Sequence, residues 1–552
     1  FDTLCIKDNS ATIAKIKQAL LTAEINVGLL NNESITIAVD ETSSIAQLNT
    51  LLSTIASALN KKAGVISLEQ VLTTNASIPA DLERNSTFLS HPVFNTYHSE
   101  SEMMRYIKKL ENKDLSLVHS MISLGSCTMK YNPRVNERIV GQHFVTEMHP
   151  YQSPETMQGI FEIIYRFDTM LRELSGLDKF IFQAGGGADA AYIQATITRA
   201  YHADRGELAQ RNEIITTAQA HPCNPATAAA AGFKIITLPL EDDGFPSVEA
   251  LKAVVSNRTA ALMVNNPDDI GIYNPHIKEW VKIVHDAGGL CFYDHANFNG
   301  VMTRIRAADI GFDACMYMLH KTFGGPKGGG GPAVGAYGCN EKLIPFLAGP
   351  TVETNADGSF YLKEGGEHSV GRIREFLGNI PTVIRAYSWT RSMGIEGLRD
   401  AANISVLANN YMEKRLLEIP GITKGMPDVK GRRLEMTRYS LGELTADTGV
   451  SVFDVQNRMT DFGVDAYWLS HEPWFIPEPF TPEAGELWSV EDIDYWIDVL
   501  ETVCSEARTN PELVKTSPHN QVVHKQNSTN LSDPAKWATT WRAYKRKYGV
   551  TN

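Results

Sequence analysis

The order of apolar and polar positions divides the chain into three regions. In the first region, SITIAVD (34–40) alternates and predicts a strand, while residues 44–60 and 99–111 have the apolar spacing of helices. Ser43 or Ser44 can cap the first helix, and SESE at 99–102 predicts a capping box for the second. We therefore expect a small mixed α and β segment at the start of the chain.

The second region, residues 176–350, alternates short apolar runs with helical patterns. The runs AALMVN and LCFYD show little alternation, which is typical of strands buried on both faces of a mostly parallel sheet. Such a sheet holds its ligand beyond the carboxyl ends of its strands. Strands are predicted at 180–185, 213–218, 235–240, 260–265, 290–296, 314–320 and 333–338, and helices at 188–203, from 225, 247–256 and 276–287.

The third region predicts a smaller α+β domain. It has a long helical stretch at 381–418, a strand pattern at 433–441, and helical patterns at 452–463 and 492–507. Residues 517–552 are polar, and we expect them to form a tail on the surface or on a partner. The predicted divisions are 1–120, 121–380, 381–515 and 516–552.

Composition narrows the class of protein. Hydrophobic residues make up 43% of the chain and charged residues 21%, which is close to the average of folded globular proteins. The net charge of −13 argues against nucleic-acid binding through a general basic surface. No uninterrupted apolar run is long enough to cross a bilayer, so we expect no membrane insertion.

The seven cysteines include no CxxC pair, which predicts neither a disulfide framework nor a zinc site. The N-terminus lacks the basic and apolar regions of a secretory signal. We therefore expect free thiols in a reducing compartment, the cytoplasm. An organelle matrix reached after removal of a targeting segment is the alternative.

Two side chains at predicted strand ends are candidates for chemistry. Lys321 precedes a glycine-rich loop in HKTFGGPKGGGGP (320–332), where partial desolvation would lower its pKa and favour Schiff-base formation. A surface lysine beside a flexible loop is the alternative. Asp294 ends a buried strand and needs a cationic partner, for which a protonated pyridine nitrogen is suitable. A helix cap or a core salt bridge is the alternative.

Two predicted turns also contain candidate site residues. The amides of Gly186, Gly187 and Ala188 stand between a strand and a helix, where they can bind an anion, although an ordinary tight turn fits as well. Asp189 is an unusual neighbour for a phosphate, but it could cap the helix. His221 could stack on a flat ring; the alternative is a polar loop histidine with Asn224 as the helix N-cap.

The order of these features along the chain is the layout of fold-type-I pyridoxal-phosphate enzymes. The sequence motifs resemble those of the P-protein family of the glycine cleavage system. The resemblance covers nearly the whole chain and is strongest in the cofactor-bearing, separate-subunit form. It rests on FDTL at the start, HPVFNTYHSESEMMRYIKKLENKDLSLVHSMISLGSCTMKYNP (91–133), HPYQSPE (149–155), HPCNPA (221–226), YDHANFN (293–299), HKTF…GGGGP (320–332) and SPH (517–519).

The resemblance implies an α/β, transferase-like large domain and assigns roles to single residues. Lys321 would bind pyridoxal 5′-phosphate covalently, Asp294 would pair with its ring nitrogen, and His221 would stack on the ring. Gly186, Gly187, Ala188 and His320 would bind the phosphate, with Ala296 also at the cofactor. Ser126, Cys127, Thr128 and Asn224 would lie on the substrate side.

The resemblance also implies a reaction and partners. Glycine would lose its carboxylate as carbon dioxide, and the aminomethyl group would pass to the lipoyl arm of a carrier protein. The assembly would be a homodimer or a complex with a second P-protein-like subunit.

The sequence departs from the family pattern at the site itself. His295 replaces a glycine, Lys327 replaces a histidine, and both the 186–191 turn and HPCN (221–224) have altered residues. His295 and Lys327 could contact an additional carboxylate or phosphonate on a larger substrate. This predicts, as an alternative, a carrier-independent decarboxylase of an acidic amino acid. Neutral drift would also explain the altered residues. A non-catalytic subunit is a further alternative for the function.

Overall fold

The structure is a computed structural model of the 552-residue chain. It describes residues 2–73, 79–113, 115, 133–150, 152–242, 244–325, 333–429, 431–465, 475–526, 533, 537 and 541–549.

The N-terminal 58 described residues, 2–59, form a small αβ unit with its own core. Its three antiparallel strands lie in the order β1-β3-β2, and two helices pack against them around the buried Ile13, Ile35 and Leu51. The predicted strand and helix are confirmed, and Ser44 forms a capping box with Gln47. The elements are β1 (Thr3–Lys7), α1 (Ser10–Thr22), β2 (Gly28–Asn31), β3 (Ser34–Ala38) and α2 (Ile45–Ala58).

Short helices connect this unit to the large domain. The predicted capping box is confirmed in α4, where Ser99 accepts from the Glu102 amide. The apolar side of α4 is exposed, with Met104 and Ile107 at least half accessible. The helices are α3 (Leu68–Thr73), α4 (Glu100–Glu111), α5 (Arg134–Val140), α6 (His143–Thr146) and α7 (Gln158–Ser175), with single 3-10 turns at Pro92–Asn95 and Pro154–Thr156.

The large domain is built on a seven-stranded sheet with helices on its faces. The alternation of strand and helix predicted for residues 176–350 is confirmed. The elements are β4 (Lys179–Ala184), α8 (Gly187–Asp204), β5 (Glu213–Thr217), α9 (Cys223–Ala230), β6 (Lys234–Leu238), α10 (Val248–Val254), β7 (Thr259–Asn265), α11 (Ile277–Asp286), β8 (Leu290–His295), α12 (Ala307–Ile310), β9 (Ala314–Met318) and β10 (Gly335–Cys339), followed by a 3-10 helix at Glu341–Phe346.

The strand order is β4-β10-β9-β8-β7-β5-β6. Strands β5 to β9 pair in parallel, and β10 runs antiparallel between β9 and β4. The mostly parallel α/β sheet is therefore confirmed. Because six strands run the same way, their carboxyl ends meet at one edge, where the loops carrying Gly186, His221, Asp294 and Lys321 begin.

A hairpin of β11 (Thr351–Thr354) and β12 (Phe360–Lys363) precedes the long helix α13 (Ile380–Leu416). Gly394, at φ 61° and ψ 179°, breaks α13 into two helices. Leu398 and Ala402 still belong to the core of the large domain, whereas Met412 and Leu416 belong to the C-terminal core. Helix α13 thus contributes its first part to one apolar core and its last part to the other.

The C-terminal domain packs helices against a small sheet of order β13-β14-β15. The strand predicted at 433–441 is wrong for most of its length, since only Tyr439–Ser440 pair in the sheet. The preceding backbone bonds elsewhere: the Leu434 amide donates to the Gly271 carbonyl of the large domain. The elements are β13 (Thr423–Lys424), β14 (Tyr439–Ser440), α14 (Gly442–Thr448), α15 (Val452–Thr460), β15 (Pro479–Phe480), α16 (Val490–Thr509) and α17 (Pro511–Lys515).

The first part of the predicted tail lies on the C-terminal domain. The amides of His519 and Asn520 donate to Asp461, and Lys525 pairs with Asp454 at 2.6 Å. Helix α18 (Trp541–Tyr548) follows. Among the described helices, none combines the length and the apolar character needed to cross a bilayer.

Gly271 of the large domain lies very close to the backbone of the C-terminal domain. Its φ is +85°, and a Cβ there would overlap the carbonyl oxygen of Met436. We expect Gly271→Ala to lower the free energy of unfolding by roughly 2–4 kcal/mol, because backbone strain and overpacking add.

The matched control is Gly206→Ala, which has a similar φ of +70° but open space at the Cβ position. It should cost only about 1–2 kcal/mol, from the left-handed conformation alone. Urea unfolding of both variants checks the difference, and equal losses would contradict the interdomain contact.

Candidate active site

Asp294 is the buried centre of the site. It lies near the end of β8, and its side chain is nearly inaccessible, with 3% of the residue exposed. Its Oδ1 accepts from the Ala296 amide at 2.9 Å, and its Oδ2 accepts from Asn224 Nδ2 at 3.0 Å. Each carboxylate oxygen therefore keeps a further lone pair that could accept from a bound cation.

Opposing effects act on the charge of Asp294. Burial raises the pKa of this carboxyl, whereas the charges of His221 and Lys321 and the hydrogen bonds from Ala296 and Asn224 favour ionisation. A buried carboxylate of this kind is stabilised when a cation binds beside it.

Lys321 lies on the turn that follows β9, and 7% of the residue is exposed. The turn is fixed by backbone bonds from the Lys321 amide to Met318 and from the Gly324 amide to Lys321. The ammonium group is close enough to Asp294 and Cys223 to act on the pKa of both. The structure therefore brings together the lysine and the aspartate that the sequence singled out.

His221 and Asn224 share one turn at the start of α9. The His221 Nδ1 accepts from the Cys223 amide at 3.1 Å, and the His221 carbonyl accepts from the Asn224 amide at 3.0 Å. His221 is half-buried and acts on Asp294. Its predicted stacking on a ring is compatible with this position and remains a prediction.

The glycine turn joins β4 to α8 as predicted. Helix α8 begins at Gly187, and a Cβ placed on Gly186 would meet no atom of the described residues within 4 Å, so these residues leave the space beside the turn open. Asp189 accepts from the Gly185 amide at 2.9 Å and pairs with Arg374 at 2.6 Å. Its negative charge is thus compensated, which makes it a tolerable neighbour for a phosphate.

His320 and Ala296 also lie at this edge of the sheet. His320 is buried, and its Nδ1 donates to the Val334 carbonyl at 3.2 Å. Ala296 is half-buried and orients Asp294 through its amide. Four predicted site residues, Ser126, Cys127, Thr128 and Lys327, lie outside the described residues.

His295, which was predicted to contact substrate, lies in the core of the large domain. Residues alternate along β8, so His295 faces the opposite side of the sheet from Asp294 and packs among Tyr293, Phe298 and Tyr317. Only 1% of the residue is exposed, and neither ring nitrogen has a hydrogen-bond partner among the described residues. Burial lowers the pKa of His295 to about 3, so the ring is neutral and cannot bind an anion as a cation would.

Asn224, which was expected on the substrate side, lies against Asp294. Its side chain is fully buried, and its amide group donates to Asp294. It therefore contacts the candidate cofactor anchor, not the open side of the site.

Sequence reasoning missed several residues near the site. Asn265 ends β7 beside Asp294 in the sheet register, and its Nδ2 donates to Asp269 at 3.2 Å. Asp269 in turn acts on Cys223. The rule that ligands bind at the carboxyl ends of parallel strands could have found both residues, because Asn265 ends a predicted strand and Asp269 lies in the loop after it.

A second missed group comes from the C-terminal domain. Asn297 and Asn299, in the loop after β8, donate to Glu483 at 2.9 and 3.1 Å. Burial and the nearby Glu483 raise the pKa of Glu435 to about 8. Glu483 thus holds the loop beyond Asp294, and both glutamates lie too far along the chain for any local sequence signal to connect them with it.

The described residues fit pyridoxal phosphate. A buried carboxylate with an unused lone pair on each oxygen suits a pyridinium nitrogen, a buried lysine suits the aldehyde, and open space beside a helix start suits a phosphate. Together with the fold, this set of side chains defines a pyridoxal-phosphate-dependent enzyme of fold type I.

Comparisons with known proteins make the assignment more specific. The profile of the family "Glycine cleavage system P-protein" matches residues 56–359. A protein of Pyrococcus abyssi named "Probable glycine dehydrogenase (decarboxylating) subunit 2" is 38% identical over 472 residues, covering 85% of this chain and 92% of its own. A protein of the same name from Staphylococcus haemolyticus is 37% identical, covering 79% and 86%.

Solved structures agree in fold. A crystal structure of glycine decarboxylase (P-protein) of the glycine cleavage system, in inhibitor-bound form, superposes with a TM-score of 0.66 at 20% identity, over 84% of this chain and all of that one. A NifS-like protein superposes with a TM-score of 0.54 at 17% identity, over 70% of this chain and 99% of that one. The chain belongs to the glycine cleavage system P-protein family. Most of the N-terminal αβ unit lies before the matched residues.

The burial of His295 makes a prediction about acid stability. Its pKa is about 3 in the folded protein, against about 6.5 when unfolded. Between these values the unfolded chain binds a proton that the folded protein does not, so folding stability falls as pH falls. Between about pH 7 and about pH 5, we expect the wild type to lose about 2 kcal/mol more than His295→Leu.

Urea unfolding at both pH values measures this difference. Identical pH dependence in the two proteins would contradict a neutral, buried His295. Because the side chain faces away from Asp294, His295→Leu should also leave substrate choice unchanged.

Proposed function

We propose that the protein is a pyridoxal-phosphate-dependent glycine decarboxylase, acting as the cofactor-bearing subunit of a P-protein. The observation that carries the proposal is the burial of the Lys321 amine and the Asp294 carboxylate together at the carboxyl edge of the sheet. Membership of the P-protein family and the names of the relatives, glycine dehydrogenase (decarboxylating), support glycine as the substrate.

The residues divide the work of holding the cofactor. Lys321 would hold it covalently, Asp294 would accept the proton-bearing ring nitrogen, and His221 would cover the ring. The amides of the 186–188 turn, with His320, would bind its phosphate. Pyridoxal phosphate, when bound, supplies an electron sink for cleavage of a bond at the substrate's α-carbon.

The protein's part in catalysis is largely electrostatic. Burial raises the pKa of Asp294, whereas its hydrogen bonds and the nearby Lys321 favour the ionised carboxylate. In that form Asp294 would favour a protonated ring nitrogen, which increases electron withdrawal. The burial of this pair excludes water and strengthens the attraction. Glycine then loses its carboxylate as carbon dioxide, and the remaining aminomethyl carbon bonds to one sulfur of a lipoyl disulfide while the other sulfur becomes a thiol.

Two alternatives have less support. An acidic substrate was suggested by His295 and Lys327, but His295 is neutral and faces the core, and Lys327 lies outside the described residues. A non-catalytic subunit would have no need for a lysine and an aspartate buried at one site, since each costs free energy of desolvation.

The partner is proposed to be a second P-protein-like subunit. The relatives are named subunit 2, which supports a two-polypeptide enzyme. The exposed apolar side of α4, with Met103, Met104, Ile107 and Leu110 each more than 40% accessible, is suited to contact with another chain.

Lys321→Ala tests the cofactor assignment. We expect the wild type reconstituted with pyridoxal phosphate to absorb near about 420 nm and to be fixed by borohydride. The variant should lose this band and the release of carbon dioxide, because it lacks the amine that would bind the aldehyde of the cofactor. The control Lys282→Ala removes an exposed lysine paired with Asp286 and should retain both properties. Retention of a borohydride-fixed band in Lys321→Ala would overturn the assignment.

Carrier dependence tests the reaction. Carbon dioxide release from carboxyl-labelled glycine should increase strongly when a lipoylated carrier is added, because the aminomethyl group then has an acceptor. The same carrier without its lipoyl group is the control. Faster, carrier-independent release from aspartate or a phosphonate amino acid would favour the alternative decarboxylase.

A further inference from the structure

We propose that Asn224 is a positioning residue that orients the Asp294 carboxylate and keeps it ionised for the ring nitrogen of the cofactor. This inference rests on the proposed function and adds a residue to it. Asn224 itself is fully buried and is argued to act through Asp294, not by contact with the substrate.

The contact is direct and desolvated. Asn224 Nδ2 donates to Asp294 Oδ2 at 3.0 Å, and both side chains are buried. A hydrogen bond to a charged group in such surroundings is roughly twice as strong as one between neutral groups. Burial raises the pKa of Asp294, and two hydrogen bonds oppose this effect. One comes from the Asn224 side chain and can be removed by mutation, whereas the other comes from the Ala296 backbone.

The orientation of the amide is fixed by the chemistry of its neighbour. A flipped side chain would place Asn224 Oδ1 against the carboxylate, so that two acceptors would face each other. In the observed orientation, Oδ1 is buried and has no partner among the described residues. Leaving an acceptor unsatisfied costs free energy. The bond to Asp294 must therefore compensate for it.

The local backbone places the donor accurately. The Asn224 amide nitrogen donates to the His221 carbonyl, and the Thr227 hydroxyl donates to the Cys223 carbonyl at 2.7 Å. One short turn thus sets the position of both His221 and Asn224 relative to Asp294. The charged and titratable groups that act on Asp294 from neighbouring elements are His221, Lys321 and Cys223.

The experiment uses two variants and one matched control on the full chain. Asn224→Ala removes the donor, and Asn224→Asp keeps the size but puts a second carboxylate beside the first. Asn409→Ala is the control. Asn409 is equally buried, and its Oδ1 has no partner among the residues that the structure describes. Its amide group donates to the Leu434 carbonyl and to Thr437, which lie in the C-terminal domain.

Two measurements apart from turnover are made on each protein. The first is the dissociation constant of pyridoxal phosphate, by titration of the apoprotein. We expect it to rise about tenfold in Asn224→Ala and more in Asn224→Asp, because the anchor is then less often ionised. The second is the pH midpoint of the absorbance band near about 420 nm. This pH midpoint should move upward in both variants. A less ionised Asp294 leaves the cofactor ring with less positive charge, and the nitrogen that joins the ring to Lys321 then keeps its proton to higher pH.

The control should lose thermal stability, as the Asn224 variants do, while its cofactor affinity and pH midpoint stay at wild-type values. Asn224 variants that match Asn409→Ala in both measurements would reduce Asn224 to a packing residue and overturn the inference. Failure of the wild type to bind pyridoxal phosphate would instead overturn the proposed function. If Asn224→Ala does not fold, the near-isosteric Asn224→Asp decides the question alone.

Discussion

The buried carboxylate of Asp294 is the constraint around which the site is organised. An ionised carboxyl group deep in a protein is strongly destabilised unless donors and positive charge surround it. Here the donors come from the loop after β8 and from α9, and the positive charge comes from two neighbouring loops. A parallel sheet makes this convergence possible, because its strands all deliver their following loops to one edge.

Strand β8 separates two environments over a single residue step. Asp294 faces the side where the polar groups converge, and His295 faces an aromatic core that includes Tyr293, Phe298 and Tyr317. Because side chains alternate along a strand, His295 follows Asp294 in sequence but lies on the opposite face of the sheet, where it does not contact the site. The departure from the family pattern at position 295 is thereby a change in core packing.

The C-terminal domain supports the site from a distance. Glu483 binds Asn297 and Asn299 in the loop after β8, and the close approach at Gly271 joins the loop after β7 to the backbone around Met436. Both loops that flank Asp294 are thus held by residues that are remote along the chain. Their rigidity depends on domain packing, which links the stability of the protein to the geometry of the site.

The sequence by itself determined the α/β class, most strands of the large sheet, and the pair Lys321 and Asp294, because apolar runs and the residues that end them are local patterns. It also determined the family, through motifs that extend along nearly the whole chain. Only the tertiary structure decided that His295 lies in the core, that Asn224 contacts Asp294, and that residues 433–438 form no strand, with the Leu434 amide bonded to the Gly271 carbonyl of the large domain. These outcomes depend on which face of a strand is turned to the site and on contacts between residues far apart in the chain, and neither is encoded in local spacing.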